Sequence, residues 1–306
     1  MLTKSAVRRI FRTIISVPLL FFNILRLTLK GEGIVLKSHS GNGVFFAEGS
    51  PSFALQTTIR EMSERQCLTP EGADGLVGTL NAVTRDDWIA KTLAALPEGA
   101  KILDAGAGEM QYKQLCSHLE YVSQDLAEYD GSGNSAGLQT GDWNTDGIDI
   151  VSDICDMPLE DGGFDAVLCT EVLEHVSHPV MALKEMGRVL RPGGKIIITA
   201  PFCSLTHFAP YHYATGFNKY FYLHHLTELG FRDIKVEENG NFFEFVAQEL
   251  RRIPSMAEQY AGMKLSPEGS FAISTLLSLL QEYSDHDKGS NEMLHFDCQV
   301  TAVKVE

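Results

Sequence analysis

The chain reads as an α/β protein built on a parallel sheet with helices on both faces. Two observations predict this. From Lys101 onward, short apolar runs alternate with helical stretches, the pattern of linked strand–helix–strand units. The first such unit, Lys101 to Tyr112 (KILDAGAGEMQY), joins an apolar run to a glycine turn and then to a helix start. A turn of this kind lies at the carboxyl end of a strand, where open α/β sheets bind ligands.

Each element follows from that unit. Ile102 and Leu103 lead to Asp104, and Gly106-Ala107-Gly108 lets the backbone turn sharply with no Cβ in a ligand's way. A helix is expected over 109–119. The next strand, 121–125, closes on Asp125, about twenty residues past the turn, the spacing at which a carboxylate reaches a ribose hydroxyl. Further strands are expected at 148–152, 164–170, 195–200, 232–237 and 297–304, with helices at 178–190, 219–229, 243–260 and 269–283. Upstream, Thr84 to Leu96 reads as a helix with Thr84 as N-cap and Asp86 and Asp87 in its first turn. Arg85 and Trp88 on it could reach the site, although plain packing and solvation explain them as well. Residues 57–66 also look helical. The polar, glycine-rich stretch 127–147 leaves the ligand edge of the second strand. It is either a ligand-facing loop carrying Tyr129, Gln139 and Trp143 or a solvated insertion.

The chain of 306 residues carries a net charge of −15, unevenly spread. Residues 1–37 hold seven Lys and Arg against one acid, Glu32, so the remainder is strongly acidic. An acidic body argues against nucleic acid as a partner, because binding a polyanion needs basic surface. The six cysteines are scattered with no CxxC, which fits a reducing compartment and a cytoplasmic location. On a helical wheel, Arg9, Arg12, Arg26 and Lys30 oppose a wide face of Ile10, Phe11, Ile14, Phe21, Phe22 and Leu25. Residues 5–30 therefore suit peripheral contact with the inner face of a membrane, or docking on the chain's own body or a dimer partner. The organisation expected is an amphipathic basic segment at 1–37, a linker and helical cap at 38–98, and a catalytic domain at 99–306.

The glycine turn lacks the third glycine of GxGxxG, since Met110 and Gln111 follow Glu109. That counts against a pyrophosphate site and suits an adenosine ligand without phosphates. Together with Asp153-Ile154, FDAVLCTEVLEHV (Phe164 to Val176) and RVLRPGGKIIITAP (Arg188 to Pro201), the turn resembles the class I S-adenosylmethionine (SAM)-dependent methyltransferases of the type 11 kind. The resemblance runs from Lys101 to Phe231. It implies a Rossmann-like doubly wound sheet of seven strands, the last antiparallel, with an N-terminal helical extension, and SAM as cofactor. It assigns Asp104 to the glycine turn or the cofactor's amino group. Gly106 and Gly108 fall to its methionine part, Asp125 to its ribose, and Asp153 and Ile154 to its adenine. Asp153 could instead cap the turn Asp153–Asp156.

Transfer of a methyl group to a hydroxyl needs alignment and a base. Glu171, the first polar residue after the fourth strand, is expected at the transferred methyl, among the cofactor and catalytic candidates. His175, four residues on, would share a helical face with it as its partner, or would support the loop. SLTHFAPYHYATGF (Ser204 to Phe217) places His207 and His212 among aromatics, suited to deprotonating an alcohol and packing a ring. No ligand spacing demands a metal and none is assigned; Glu171, His175 and His207 would be the ligands of one. The stretch Gln124 to Phe231 looks like a bacterial subgroup found with surface-polysaccharide pathways. The leading expectation is therefore O-methylation of a sugar or lipid-linked saccharide. The alternatives are C- or N-methylation of a quinone, lipid or small metabolite, and an inactive SAM-binding subunit that docks on a partner enzyme.

Overall fold

The computed structural model describes residues 75–305. The basic segment 1–37 and the helix expected at 57–66 lie outside the described residues. Among the described residues no helix is long and apolar enough to cross a membrane.

Contacts divide the chain into two compact units. The larger comprises Thr79–Phe245 and Lys288–Glu306 and holds a seven-stranded sheet. Its strands are β1 (Lys101–Ala105), β2 (Glu120–Asp125), β3 (Ile150–Val151), β4 (Phe164–Thr170), β5 (Leu190–Pro201), β6 (Phe231–Asn239) and β7 (Asp297–Lys304). The helices are α1 (Asn81–Ala94), α2 (Pro179–Val189), α3 (Lys219–Glu228), α4 (Phe242–Met256) and α5 (Pro267–Asp285). The strand order is β3-β2-β1-β4-β5-β7-β6. Only β7 runs antiparallel, to both β5 and β6, as the resemblance implied.

Alternation along the strands sends successive side chains to opposite faces. Leu103, Val167, Ile196 and Ile198 pack with Leu183, Met186 and Leu226 of α2 and α3. Ile102, Ala166, Leu168 and Ile197 pack with Ile89 and Leu93 of α1. Both faces are apolar because both are covered, so the parallel strands read as unbroken hydrophobic runs. The chain builds outward from β1 through β2 to β3, then returns to place β4 on the other side of β1. The crevice outside β1 and β4 is thus the topological switch point, where such sheets bind ligands.

Several elements differ from the expectation. The helix expected at 109–119 is a single 3-10 turn, Lys113–Cys116. Met110 sits at φ +55°, a left-handed conformation that no right-handed helix accommodates. α1 starts at Asn81, so Thr84 does not cap it. Its Oγ1 instead donates to the Leu80 carbonyl (2.8 Å) or the Asn239 Oδ1 (2.6 Å). Asp86 and Asp87 accordingly lie beyond the first turn. β3 is two residues long, and β5 begins five residues earlier than expected, at Leu190.

The smaller unit takes in residues 75–78 and 246–287. Val77, Ala247 and Leu277 form its core. Arg251 Nε donates to the Val77 carbonyl at 2.8 Å, and the Val77 N–H donates to Gln281 Oε1 at 2.8 Å.

Candidate active site

A cleft of about 710 Å³ opens over the carboxyl ends of β1, β2 and β4. It gathers most of the residues expected at the site: Gly106, Gly108, Asp125, Asp153, Ile154, Glu171, His175 and His207. Asp104 and His212 are not in its wall.

The glycine turn is held from β2. The Gly106 and Ala107 N–H groups donate to the Gln124 carbonyl, and the Gly108 N–H donates to Asp125 Oδ2 at 2.9 Å. Asp125 Oδ1 accepts from the Ala127 N–H at 2.8 Å. The carboxylate is thus oriented by two backbone donors and keeps lone pairs for a ligand. Gly106 and Gly108 have φ +77° and +50°. A Cβ on Gly106 would lie 2.5 Å from Val172, and one on Gly108 would lie 2.6 Å from the Trp143 indole. Only glycine fits either position, which is the cradle an adenosine cofactor needs. Asp153 lines the cleft and also accepts from the Cys155 N–H at 2.8 Å, as a turn cap does.

Asp104 lies beneath this turn, buried, accepting from Tyr121 Oη at 2.6 Å. Burial pushes its carboxyl up to about 7, against the lowering effect of that hydrogen bond. It supports the strand end and does not face the cleft.

Glu171 stands at φ +53° just after β4. Arg85 of α1 pairs with it at 3.0 Å, and Thr199 Oγ1 donates to it at 3.0 Å. Arg85 therefore reaches the site. Trp88 does not, donating instead to Glu237 Oε2 at 3.0 Å. The expected pairing of Glu171 with His175 does not form; Glu174 is the acid nearer His175, its Oε1 3.7 Å from Nε2 and not hydrogen-bonded to it. Leu173–His175 is a 3-10 turn, so the spacing that aligns side chains on an α-helix does not operate.

His175 donates from Nδ1 to the Tyr211 carbonyl at 2.7 Å, and Glu174 accepts at its own carbonyl from the Tyr213 and Ala214 N–H groups. The Glu174-His175 pair thus anchors the loop after β5. His207 rings against His175 at 4.6 Å and against His212 at 4.9 Å between centroids. Burial, together with the neighbouring His207 and His212, pulls the His175 imidazole down to about 4, so it is neutral at physiological pH. His212 is also lowered, by burial and by His207. Its Nε2 lies 3.2 Å from Ser204 Oγ.

The stretch 127–147 is a wall of the cleft. Its Leu138 N–H donates to the Thr206 carbonyl, and its Leu138 carbonyl accepts from the Phe208 N–H. Tyr129, Trp143 and Phe208 form one aromatic group, with centroids 4.3 to 5.8 Å apart. Gln139 bonds Tyr129 from behind and does not line the cleft. Phe208 is one of the aromatics that the sequence reading expected to pack a ring. Glu174 was not singled out from sequence; its signal was a second acid beside His175.

Residues 103–198 match the family model described as a methyltransferase domain. The matched segment is that of a methyltransferase domain, carried on the seven-stranded sheet described above. One relative, an uncharacterized 37.1 kDa protein in transposon TN4556 of Streptomyces fradiae, is 47% identical over 166 residues, covering 49% of this chain and 48% of that protein. The ubiquinone biosynthesis O-methyltransferase of Xanthomonas oryzae pv. oryzae is 31% identical over 132 residues, 42% of this chain and 54% of the other. The chain thus spans about half the length of these curated relatives. Among solved structures, the SAM complex of Haemonchus contortus phosphoethanolamine N-methyltransferase 2 aligns at 19% identity, over 72% of this chain and 53% of that one, with a TM-score of 0.42.

Proposed function

We propose that the chain methylates a hydroxyl group on a small, ring-shaped acceptor, with SAM as donor. The observation that carries this reading is the histidine and aromatic wall of the cleft. There the imidazoles of His175 and His207 stand beside the aromatic group Tyr129, Trp143 and Phe208.

When bound, SAM supplies a methyl group on a sulfonium. Gly106 and Gly108 would receive its methionine part, Asp125 its ribose, and Asp153 and Ile154 its adenine. Arg85 holds Glu171 at the end of β4, beside the same cleft. The aromatic group packs the flat face of the acceptor and excludes water from the reacting oxygen. That oxygen gains the methyl and loses its proton. The sulfonium charge is thereby conserved as a proton taken up at the imidazole wall or passed to water.

An aromatic ring bearing a hydroxyl suits the wall best. The relative from Xanthomonas is an enzyme of ubiquinone biosynthesis by its name, which favours a phenol- or quinol-type acceptor here too. A saccharide would also stack on these rings, but neither the family model nor that relative's name bears on glycans. The lipid-linked form of that idea rested on residues 5–30.

The test is transfer of labelled methyl from SAM to a panel of phenols and quinols against a panel of glycosides. We expect label on a phenolic oxygen, and a fall in kcat of roughly a hundredfold in His207→Ala with S-adenosylhomocysteine affinity unchanged. Transfer to carbon or nitrogen, with full activity in His207→Ala, would replace this reading by the C- or N-methylation alternative. Cofactor binding with no transfer to either panel would favour the docking-subunit alternative.

A further inference from the structure

Glu174 is fully buried, and neither of its carboxylate oxygens has a hydrogen-bond partner. A buried carboxylate without a partner is costly, so the groups facing it need an account. Two ring nitrogens face it among the described residues, His175 Nε2 at 3.7 Å and His207 Nε2 at 3.9 Å from Oε1. Both separations are too long for hydrogen bonds.

The tautomers follow from the other ring nitrogens. His175 Nδ1 meets the Tyr211 carbonyl at 2.7 Å, and His207 Nδ1 meets the Leu205 carbonyl at 2.8 Å. A carbonyl only accepts, so each Nδ1 carries the hydrogen, and the Nε2 of each neutral ring offers its lone pair. A carboxyl group and two imidazole nitrogens therefore converge at separations too long for hydrogen bonds; burial holds the Glu174 carboxyl well above the usual carboxylate range, and a cation bound among the three would displace its proton. Their three ligand atoms lie within 4.8 Å of one another. Backbone carbonyls that fix the tautomer of a ligating histidine are the usual supports of a metal site.

We propose that Glu174, His175 and His207 bind one divalent first-row transition-metal ion, such as Zn²⁺, Mn²⁺ or Fe²⁺. Two nitrogens and one carboxylate oxygen suit these ions over Mg²⁺ and Ca²⁺, which prefer all-oxygen shells. Ligand atoms about 2 Å from a common centre stand roughly 3 to 3.5 Å apart, so the observed spacing closes with a small movement. His175 and His207 line the cleft while Glu174 lies behind them, so the ion's open positions face the acceptor. The site differs from the ligand set expected from sequence by one acid, because Glu171 is taken by Arg85.

One consequence rests on the methyl-transfer reading: an acceptor hydroxyl on the ion would be acidified. Its proton would then leave to water, since both histidine lone pairs are occupied. Ion binding itself does not depend on that reading.

The test is calorimetric titration of Zn²⁺, with Mg²⁺ as comparator, into tag-free full-length protein stripped with a chelator. The wild type, Glu174→Gln, His207→Ala and His224→Ala would be compared. His224 belongs to a second group, with His225 and Glu228, on an exposed helix face. We expect one Zn²⁺ per chain in the wild type and in His224→Ala, with affinity weakened roughly tenfold or more in Glu174→Gln and His207→Ala. Glu174→Gln is isosteric and removes only the carboxylate ligand, so retained binding of S-adenosylhomocysteine by it shows that the variant is folded. No stoichiometric binding in the wild type, or binding equal in all four proteins, overturns the proposal. Methyl transfer that survives chelation but fails in His207→Ala would remove the ion and leave the methyl-transfer reading standing.

Discussion

Gly108 carries two constraints at once, a positive φ and the Trp143 indole in the direction of its missing Cβ. Gly108→Ala is expected to cost roughly 1–2 kcal/mol for the left-handed conformation alone. It should also weaken S-adenosylhomocysteine binding by displacing the indole. Trp143→Ala in the same chain should recover the steric part and leave the conformational part. Thermal melts and calorimetry on the two variants separate them, and equal losses in both would contradict the assignment of Trp143 to this wall. The residues of the turn were legible in the sequence because glycines and a strand-end acid are local signals. The partner of His175 was not. Glu171 and Glu174 are equally acidic on paper, and only the 3-10 geometry of Leu173–His175 and the arrival of Arg85 assign them to different tasks.

α1 is tied to the cleft by one ion pair, Arg85 with Glu171, in which the side chains are 17% and 29% exposed. Arg85→Ala would leave a half-buried carboxylate without its cation, while Glu171→Gln would remove the charge as well. We therefore expect Arg85→Ala to lose about 1–2 kcal/mol in urea unfolding, and the double variant with Glu171→Gln to regain part of it. Simple additivity would show that the pair holds nothing. At this scale, periodicity gave most strands and α2, α3 and α5 nearly to the residue, because buried parallel strands and amphipathic helices repeat one signal over many positions. The region 109–119 misled because its composition suits a helix while Met110 adopts a left-handed conformation that ends the helix before it starts. The stretch 127–147 was ambiguous for a related reason. It has no regular structure, and its position depends on hydrogen bonds to the loop after β5, some seventy residues away.

The whole domain shares the consequences of a buried, acidic strand end. Burial raises the Asp104 carboxyl from 3.8 to about 7. Between those values the folded protein holds a proton that the unfolded chain has released, so stability from this group is full below about 4 and is lost as pH rises through about 7. The loss is on the order of 4 kcal/mol. Relative to wild type, Asp104→Asn should gain stability between pH 4 and pH 8, because the amide oxygen can still accept from Tyr121 Oη. Denaturant midpoints across that range check it, and a difference independent of pH would show that Asp104 is ionised throughout. The same sheet positions the glycine turn and Asp125, which we propose hold the adenosine cofactor. The decisive measurement is calorimetric titration of S-adenosylhomocysteine into the wild type and into Asp125→Ala. The account predicts micromolar binding in the wild type, weakened roughly tenfold or more in the variant, as expected for losing hydrogen bonds to a charged acceptor. Absence of binding in the wild type, or equal binding in both, would contradict it.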